Sequence, residues 1–154
     1  SSQKKCCLLF FVRHGEKDES KQSEYSWDTS LTARGKQQAL ACGKDKILPF
    51  IQSKGYGESP LKIITSPFLR TLQTAAYLSF GLTNSNEGQL ITNPNICVVL
   101  SSSLKKDPLK HGALAVRDQP TLIEKYLDGK VASIVPDALN QLSVPKFPEK
   151  SAKS

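Results

Sequence analysis

The chain has 154 residues, with 21 Lys and Arg against 14 Asp and Glu, and a formal net charge of +7. That length suits one domain, and an apolar fraction of 38% excludes a disordered chain. No apolar run approaches the roughly 20 residues that cross a bilayer. The charge points only to anions, down to the size of a phosphate: residues 1–77 carry 12 basic and 7 acidic groups and residues 78–154 carry 9 and 7. The basic stripe with interleaved aromatics that marks a nucleic-acid binder is missing, so nucleic acid is not an expected partner.

In chain order, Cys6-Cys-Leu-Leu-Phe-Phe-Val12 is an unbroken apolar run that predicts a strand buried on both faces, as in a parallel sheet. It is too short for a secretion signal and is followed by Arg13-His14-Gly15-Glu16. Residues 16–30 read as a loop holding Tyr25 and Trp27. Thr32 predicts an N-cap and a helix from Ala33 to about Ile51, with Ala39, Gly43 and Ile47 on one side and Pro49 kinking or ending it. Leu61–Thr65 predicts a second strand. Ser66-Pro67 predicts a cap and first turn for a helix to about Phe80, with Leu69, Leu72, Ala76 and Leu78 or Phe80 buried and Gly81 as the stop.

Residues 82–95 read as a surface loop and Ile96–Leu100 as a third strand. Pro120 opens a short helix to Tyr126 or Leu127 that stops near Gly129. Residues 1–135 are taken as one α/β domain, a mostly parallel sheet flanked by helices, and residues 136–154 as a Pro- and Lys-rich tail or arm. Cys6, Cys7, Cys42 and Cys97 show no metal-ligand spacing and are expected to be small buried thiols in a reducing, intracellular compartment. The absence of Met predicts a processed chain or a piece of a longer one.

In sheets of this kind the ligand site lies beyond the carboxyl ends of the strands. Arg13-His14-Gly15 stands at the first such end and Thr65-Ser66-Pro67 at the second. A neutral His can attack phosphorus and hold the phosphoryl group, Arg offers a planar fork of donors to phosphate oxygens, and Gly lets the backbone come close. A helix start at Ser66, with Arg70 in its first turn, adds free N–H groups that favour an anion.

Three segments then carry a resemblance: Arg13-His14-Gly15-Glu16, Asp28 to Ala39 with its Leu31-Thr32-Ala-Arg34-Gly35, and Ser66-Pro67-Phe-Leu-Arg70-Thr-Leu-Gln73-Thr74-Ala75. Together they resemble the histidine phosphatase superfamily, the phosphoglycerate-mutase-like group, over about residues 6–81. The resemblance implies a phosphoglycerate mutase-like fold and no cofactor or metal. It makes His14 the phosphoryl acceptor and Arg13 and Arg70 the phosphate clamp. Gly15, Glu16 and Ser66 would border the substrate. Gln73 and Thr74 would stand behind the clamp.

The family mechanism also needs an acid and a second His in a His-Gly at the end of a late strand. Val98–Leu104 has no carboxylate, which leaves Glu87 and Asp107 as candidates. His111-Gly112 is the one remaining His-Gly, in a basic stretch that does not read as a strand, and a surface His is its alternative. Two functions follow as expectations. One is an enzyme hydrolysing a phosphomonoester, small molecule or phosphoprotein, through a phosphohistidine on His14. The other is an inactive pseudophosphatase serving as a structural or docking subunit, with protein partners in a larger assembly.

Overall fold

Thr32 starts the helical part of the chain as its sequence predicts. Its hydroxyl accepts the Gly35 N–H at 2.9 Å, satisfying one of the amides that every helix start leaves unpaired. The computed structural model describes residues 7–20, 25, 27–94, 96 and 112–137. In it, helix α1 (Ala33–Ala41) runs into a π-helical stretch (Cys42–Ile47) and on into α2 (Leu48–Ser53). Ala39, Gly43 and Ile47 are buried on one side, as expected. Pro49 does not end the helix, because it falls in the first turn of α2, where a missing N–H costs least.

Three strands form one parallel sheet in the order β1 (Ile63–Thr65), β2 (Gln89–Thr92), β3 (Ser133–Pro136). Ile63 aligns with Leu90, and Leu90 with Ile134. Between β1 and β2 runs α3 (Leu69–Thr83). Between β2 and β3 lie the short α4 (Ala113–Val116), α5 (Gln119–Thr121) and a π-helical stretch (Leu122–Tyr126). The expected parallel sheet with flanking helices is present, and so is the helix opening at Pro120, which ends ahead of Asp128 and Gly129 in left-handed conformations.

The strands are not all where the sequence predicts them. β2 lies in the Asn-, Gly- and Thr-rich stretch read as a loop; Leu90 and Thr92 face inward while Gln89 is exposed, an alternation hidden by its polar flanks. Ile96 is an exposed bend, and residues 97–100 lie outside the described residues. The apolar run Cys7–Val12 belongs to no strand: Leu9 is 74% and Phe11 92% exposed, while the Phe10 ring packs edge-on against Phe50 of α2 at 5.8 Å. Cys7 is correspondingly an exposed thiol rather than a buried one, and Cys42 is half-buried; both are free. β3 includes Pro136, and the Asp137 N–H reaches the Thr92 carbonyl at 2.9 Å, so the sheet extends past residue 135; residues 138–154 lie outside the described residues.

The core is built around α3. Leu69, Leu72, Ala75 and Ala76 meet Leu90, Ile134, Leu122, Leu127 and Val131, and on the other side Leu78 and Leu82 meet Ile47. Each fully buried Leu contributes roughly 1.5–3 kcal/mol relative to exposure. Polar Gln73, Thr74 and Ser79 are buried as well, so α3 is enclosed on nearly all sides. Glycines allow this enclosure. A Cβ on Gly43 would strike the Leu78 carbonyl, and one on Gly81 the Leu40 carbonyl. Gly81 is therefore a contact point inside α3, not its stop. The helix ends instead at Asn84, in the left-handed region at φ 51°, whose N–H bonds the Phe80 carbonyl at 2.8 Å.

Asp128 ties this assembly at the surface. Its carboxylate accepts from Lys36 of α1 at 2.8 Å and from the Tyr77 hydroxyl of α3. Burial alone would raise the Asp128 pKa, but the hydrogen bonds from Lys36 and Tyr77, with the charges of Lys36 and Lys130, outweigh it and hold the carboxyl below its ordinary value. Burial, then Asp128, pushes the Tyr77 phenol above its ordinary value.

Two outcomes follow. Gly81→Ala should destabilise by about 1–3 kcal/mol in urea unfolding, although helix propensity alone would stabilise by about 1 kcal/mol; Gly57→Ala, where a Cβ would meet only the Gln52 side chain at an ordinary 3.9 Å, is the control. The Asp128 contribution should be present above about pH 4 and be lost as pH falls through the lowered folded value. The urea midpoint of Asp128→Asn should therefore fall less between pH 6 and pH 3 than that of the unsubstituted chain.

Candidate functional site

His14 ends the N-terminal apolar run half-buried, with the Arg13 side chain beside it exposed. The imidazole Nδ1 lies 2.8 Å from the Gly15 carbonyl oxygen. A carbonyl only accepts, so Nδ1 is the protonated nitrogen, and in the neutral ring Nε2 is the one with the lone pair. Gly15 has no room for a side chain, because a Cβ there would strike the Gly35 carbonyl at the start of α1. The Gly15 N–H donates to the Thr74 hydroxyl at 3.1 Å, and that hydroxyl donates to the Arg70 carbonyl one turn earlier in α3 at 2.8 Å. The Arg-His-Gly segment is thus pinned to the helix that carries Arg70. The Arg70 side chain is half-buried, with its guanidinium 5.4 Å from the centre of the Phe68 ring.

Glu16 faces the start of α1. Its N–H donates to Gln38 Oε1 at 3.0 Å, its carbonyl accepts the Thr32 N–H at 2.9 Å, and its carboxylate accepts the Thr32 hydroxyl at 2.8 Å. Ser66 is buried at the carboxyl end of β1, its hydroxyl 2.6 Å from that of Thr71. It does not cap α3; the capping position is Phe68, whose side chain makes no capping bond.

The cap comes from far along the chain. Asp28 Oδ1 accepts the Leu69 N–H at 2.7 Å, and its other oxygen accepts from Arg117 Nη1 at 2.7 Å. The two side chains are 0% and 5% exposed, so this is a buried ion pair. Arg117 lies between two rings, 4.5 Å from the centre of Tyr126 and 5.2 Å from that of Tyr25. Burial pulls its pKa down, but the bonds to Asp28 and Tyr126 outweigh this and hold the guanidinium charged. The expected free helix start therefore needs correction. The first amide of α3 is already held by a carboxylate.

The carboxyl ends of the strands come together at Thr65, Asn93 and Asp137. The Asn93 N–H reaches the Thr65 carbonyl at 2.9 Å, and its side-chain amide donates to the Asp137 carboxylate at 3.2 Å. β3 is followed directly by Asp137. His111 and Asp107 lie outside the described residues. Glu87 is described and precedes β2, at the amino end of that strand. Among the described residues no cluster of three His, Cys, Asp or Glu could hold a metal, and no helix is long and apolar enough to cross a membrane.

Asp28, Gln38, Asn93, Arg117 and Asp137 carry the geometry without having been singled out in the sequence. Each acts on a partner well separated in the chain, 41 residues away for Asp28 and Leu69, which local pattern cannot show.

The family model of the histidine phosphatase superfamily (branch 1) matches residues 9–91, more than half of the chain. The chain belongs to the histidine phosphatase superfamily. Over 70 residues it is 41% identical to 6-phosphofructo-2-kinase/fructose-2,6-bisphosphatase 1 of Bos taurus, and 40% identical to the proteins of the same name from Rattus norvegicus and Homo sapiens. That stretch covers 46% of this chain and 13% of each relative. No solved structure matches. Membership accords with a phosphatase-like protein and a phosphorylated substrate.

Asp28→Ala removes one member of the buried pair and the cap of α3 at once. It should cost about 3–5 kcal/mol in urea unfolding, against about 1 kcal/mol for an ordinary cap.

Proposed function

We propose that the chain binds a phosphomonoester and transfers its phosphoryl group to His14. The observation that carries this reading is the His14 ring itself. Its Nδ1–H is committed to the Gly15 carbonyl, its Nε2 lone pair is left for attack, and its backbone is pinned to the helix bearing Arg70. Nε2 forms the bond to phosphorus as the bond to the ester oxygen breaks, and the leaving oxygen takes a proton from an acid or from water. Water then attacks the phosphohistidine, releasing inorganic phosphate and restoring the neutral ring. Arg13 and Arg70 neutralise the phosphoryl oxygens in both steps. Glu16, Gly15 and Ser66 border the bound group in this reading, and His111 is the second His if the chain has one in the site. The chemistry needs no metal or organic cofactor. The bisphosphatase half of the relatives' name makes a sugar phosphate the first substrate class to try.

A second reading is favoured by a specific observation. Leu9 and Phe11 are left exposed, at 74% and 92%. This suits a pseudophosphatase that keeps the fold and uses it for docking in a larger assembly.

The test is hydrolysis of p-nitrophenyl phosphate at pH 5.5 and 7, with fructose 2,6-bisphosphate in parallel. The first reading expects His14→Ala to abolish turnover and Arg70→Ala to lower it about 10²- to 10³-fold. Equal turnover by the His14→Ala variant sinks it. The docking reading expects no His14-dependent turnover together with self-association or retention by a partner, and a stable, monodisperse monomer counts against it.

A further inference from the structure

We infer that Gln38 and Thr74 are a pair of positioning residues, which hold the two peptide planes on either side of Gly15 and thereby fix the tautomer and aim of His14. The inference rests on the reading of His14 as phosphoryl acceptor and adds to it the residues that prepare the ring.

The argument is one of peptide planes. The Gly15 N–H belongs to the plane that follows His14, and Thr74 Oγ1 accepts it at 3.1 Å. The Gly15 carbonyl and the Glu16 N–H share the next plane. One end of that plane accepts from His14 Nδ1 at 2.8 Å, and the other donates to Gln38 Oε1 at 3.0 Å. A peptide plane is rigid, so fixing its N–H fixes the direction of its carbonyl. Accepting at one end and donating at the other also polarises the amide and strengthens both bonds. Gly15 itself has no side chain to hold it and soft dihedrals on both sides. The carbonyl that selects the His14 tautomer is therefore aimed by groups outside the Arg-His-Gly segment.

The two groups come from two helices. Gln38 is an exposed residue of α1, and Thr74 is a buried residue of α3. The glycine contacts at Gly43 and Gly81 fix how closely those helices approach, and hence the gap in which Gly15 sits. Gln38 contributes to no apolar core cluster among the described residues. A Glu at 38 or a Ser at 74 keeps the acceptor atom, whereas a Met at 38 or a Val at 74 removes it with little change in volume.

The experiment uses the full chain with Gln38→Met, Gln38→Glu, Thr74→Val and Thr74→Ser. The first readout is the tautomer of His14 from ring nitrogen shifts at pH 8. The unsubstituted chain should show Nδ1 protonated, and Gln38→Met and Thr74→Val should show a mixture of tautomers. Gln38→Glu and Thr74→Ser should restore the single form. The second readout is p-nitrophenyl phosphate kinetics. The Met and Val variants should lose about tenfold in kcat with KM held within about twofold, and the Glu and Ser variants should recover most of it. Unchanged ring shifts in both Met and Val variants, a proton on Nε2 in the unsubstituted chain, or failure of Glu and Ser to restore the shifts overturns the inference. If the unsubstituted chain shows no His14-dependent turnover, the catalytic reading fails, and the ring shifts alone decide the positioning role. If Thr74→Val does not fold, amide exchange of Gly15 replaces it: slow exchange is expected in the unsubstituted chain and in Thr74→Ser, and fast exchange in the unsubstituted chain contradicts the pairing.

Discussion

The Asp28 carboxylate is the constraint on which the rest depends. One oxygen caps α3 at Leu69, and the other neutralises Arg117, which lies buried between Tyr25 and Tyr126. A buried ion pair is weak evidence of net stability, because desolvation offsets much of the attraction, but it specifies position strongly. Here it joins three separate parts of the chain at the start of the helix that bears Arg70 and Thr74. Gln73 works from the next turn of the same helix. Its carbonyl oxygen accepts the Leu31 N–H at 2.7 Å, and its amide reaches the Tyr126 carbonyl at 3.0 Å. The loop before α1 and the end of the second π-helical stretch are thereby referenced to one helix.

That arrangement explains how the end of an exposed, unpaired segment can carry an ordered site. The Cys7–Val12 run has no sheet to hold it, yet the residues after it are held by backbone contacts: Gly15 to Thr74, Glu16 to Gln38 and Thr32, Gly15 against Gly35. Order at His14 comes from α1 and α3, and their mutual distance comes from Gly43 and Gly81. The chemistry of the site is local, and its geometry is not.

What could be read from the sequence follows the same division. The Thr32 cap, the buried side of α1, the strand at Ile63–Thr65 and the helix across Arg70 were all legible, because each depends on neighbours within a turn or two. The triplet Arg13-His14-Gly15 and the helix with Arg70 made the family legible through residue types and motif order. The errors fall where a distant partner decides. Ser66 has the chemistry of a cap, but Asp28 takes that role from 41 residues away. Gly81 looks like a stop, but it is a contact with Leu40. β2 is a strand because Leu90 pairs with Ile63 and Ile134, not because of its composition.

The central claim is that His14 presents Nε2, and not Nδ1, to a phosphoryl group. The most direct measurement is a rapid alkaline quench during turnover of a phosphomonoester, followed by peptide mapping and nitrogen-resolved NMR of the phosphorylated residue. The account predicts an acid-labile, base-stable phosphate on His14 Nε2. Phosphate on Nδ1, or on any residue other than His14, contradicts it, as does turnover without any phosphorylated intermediate.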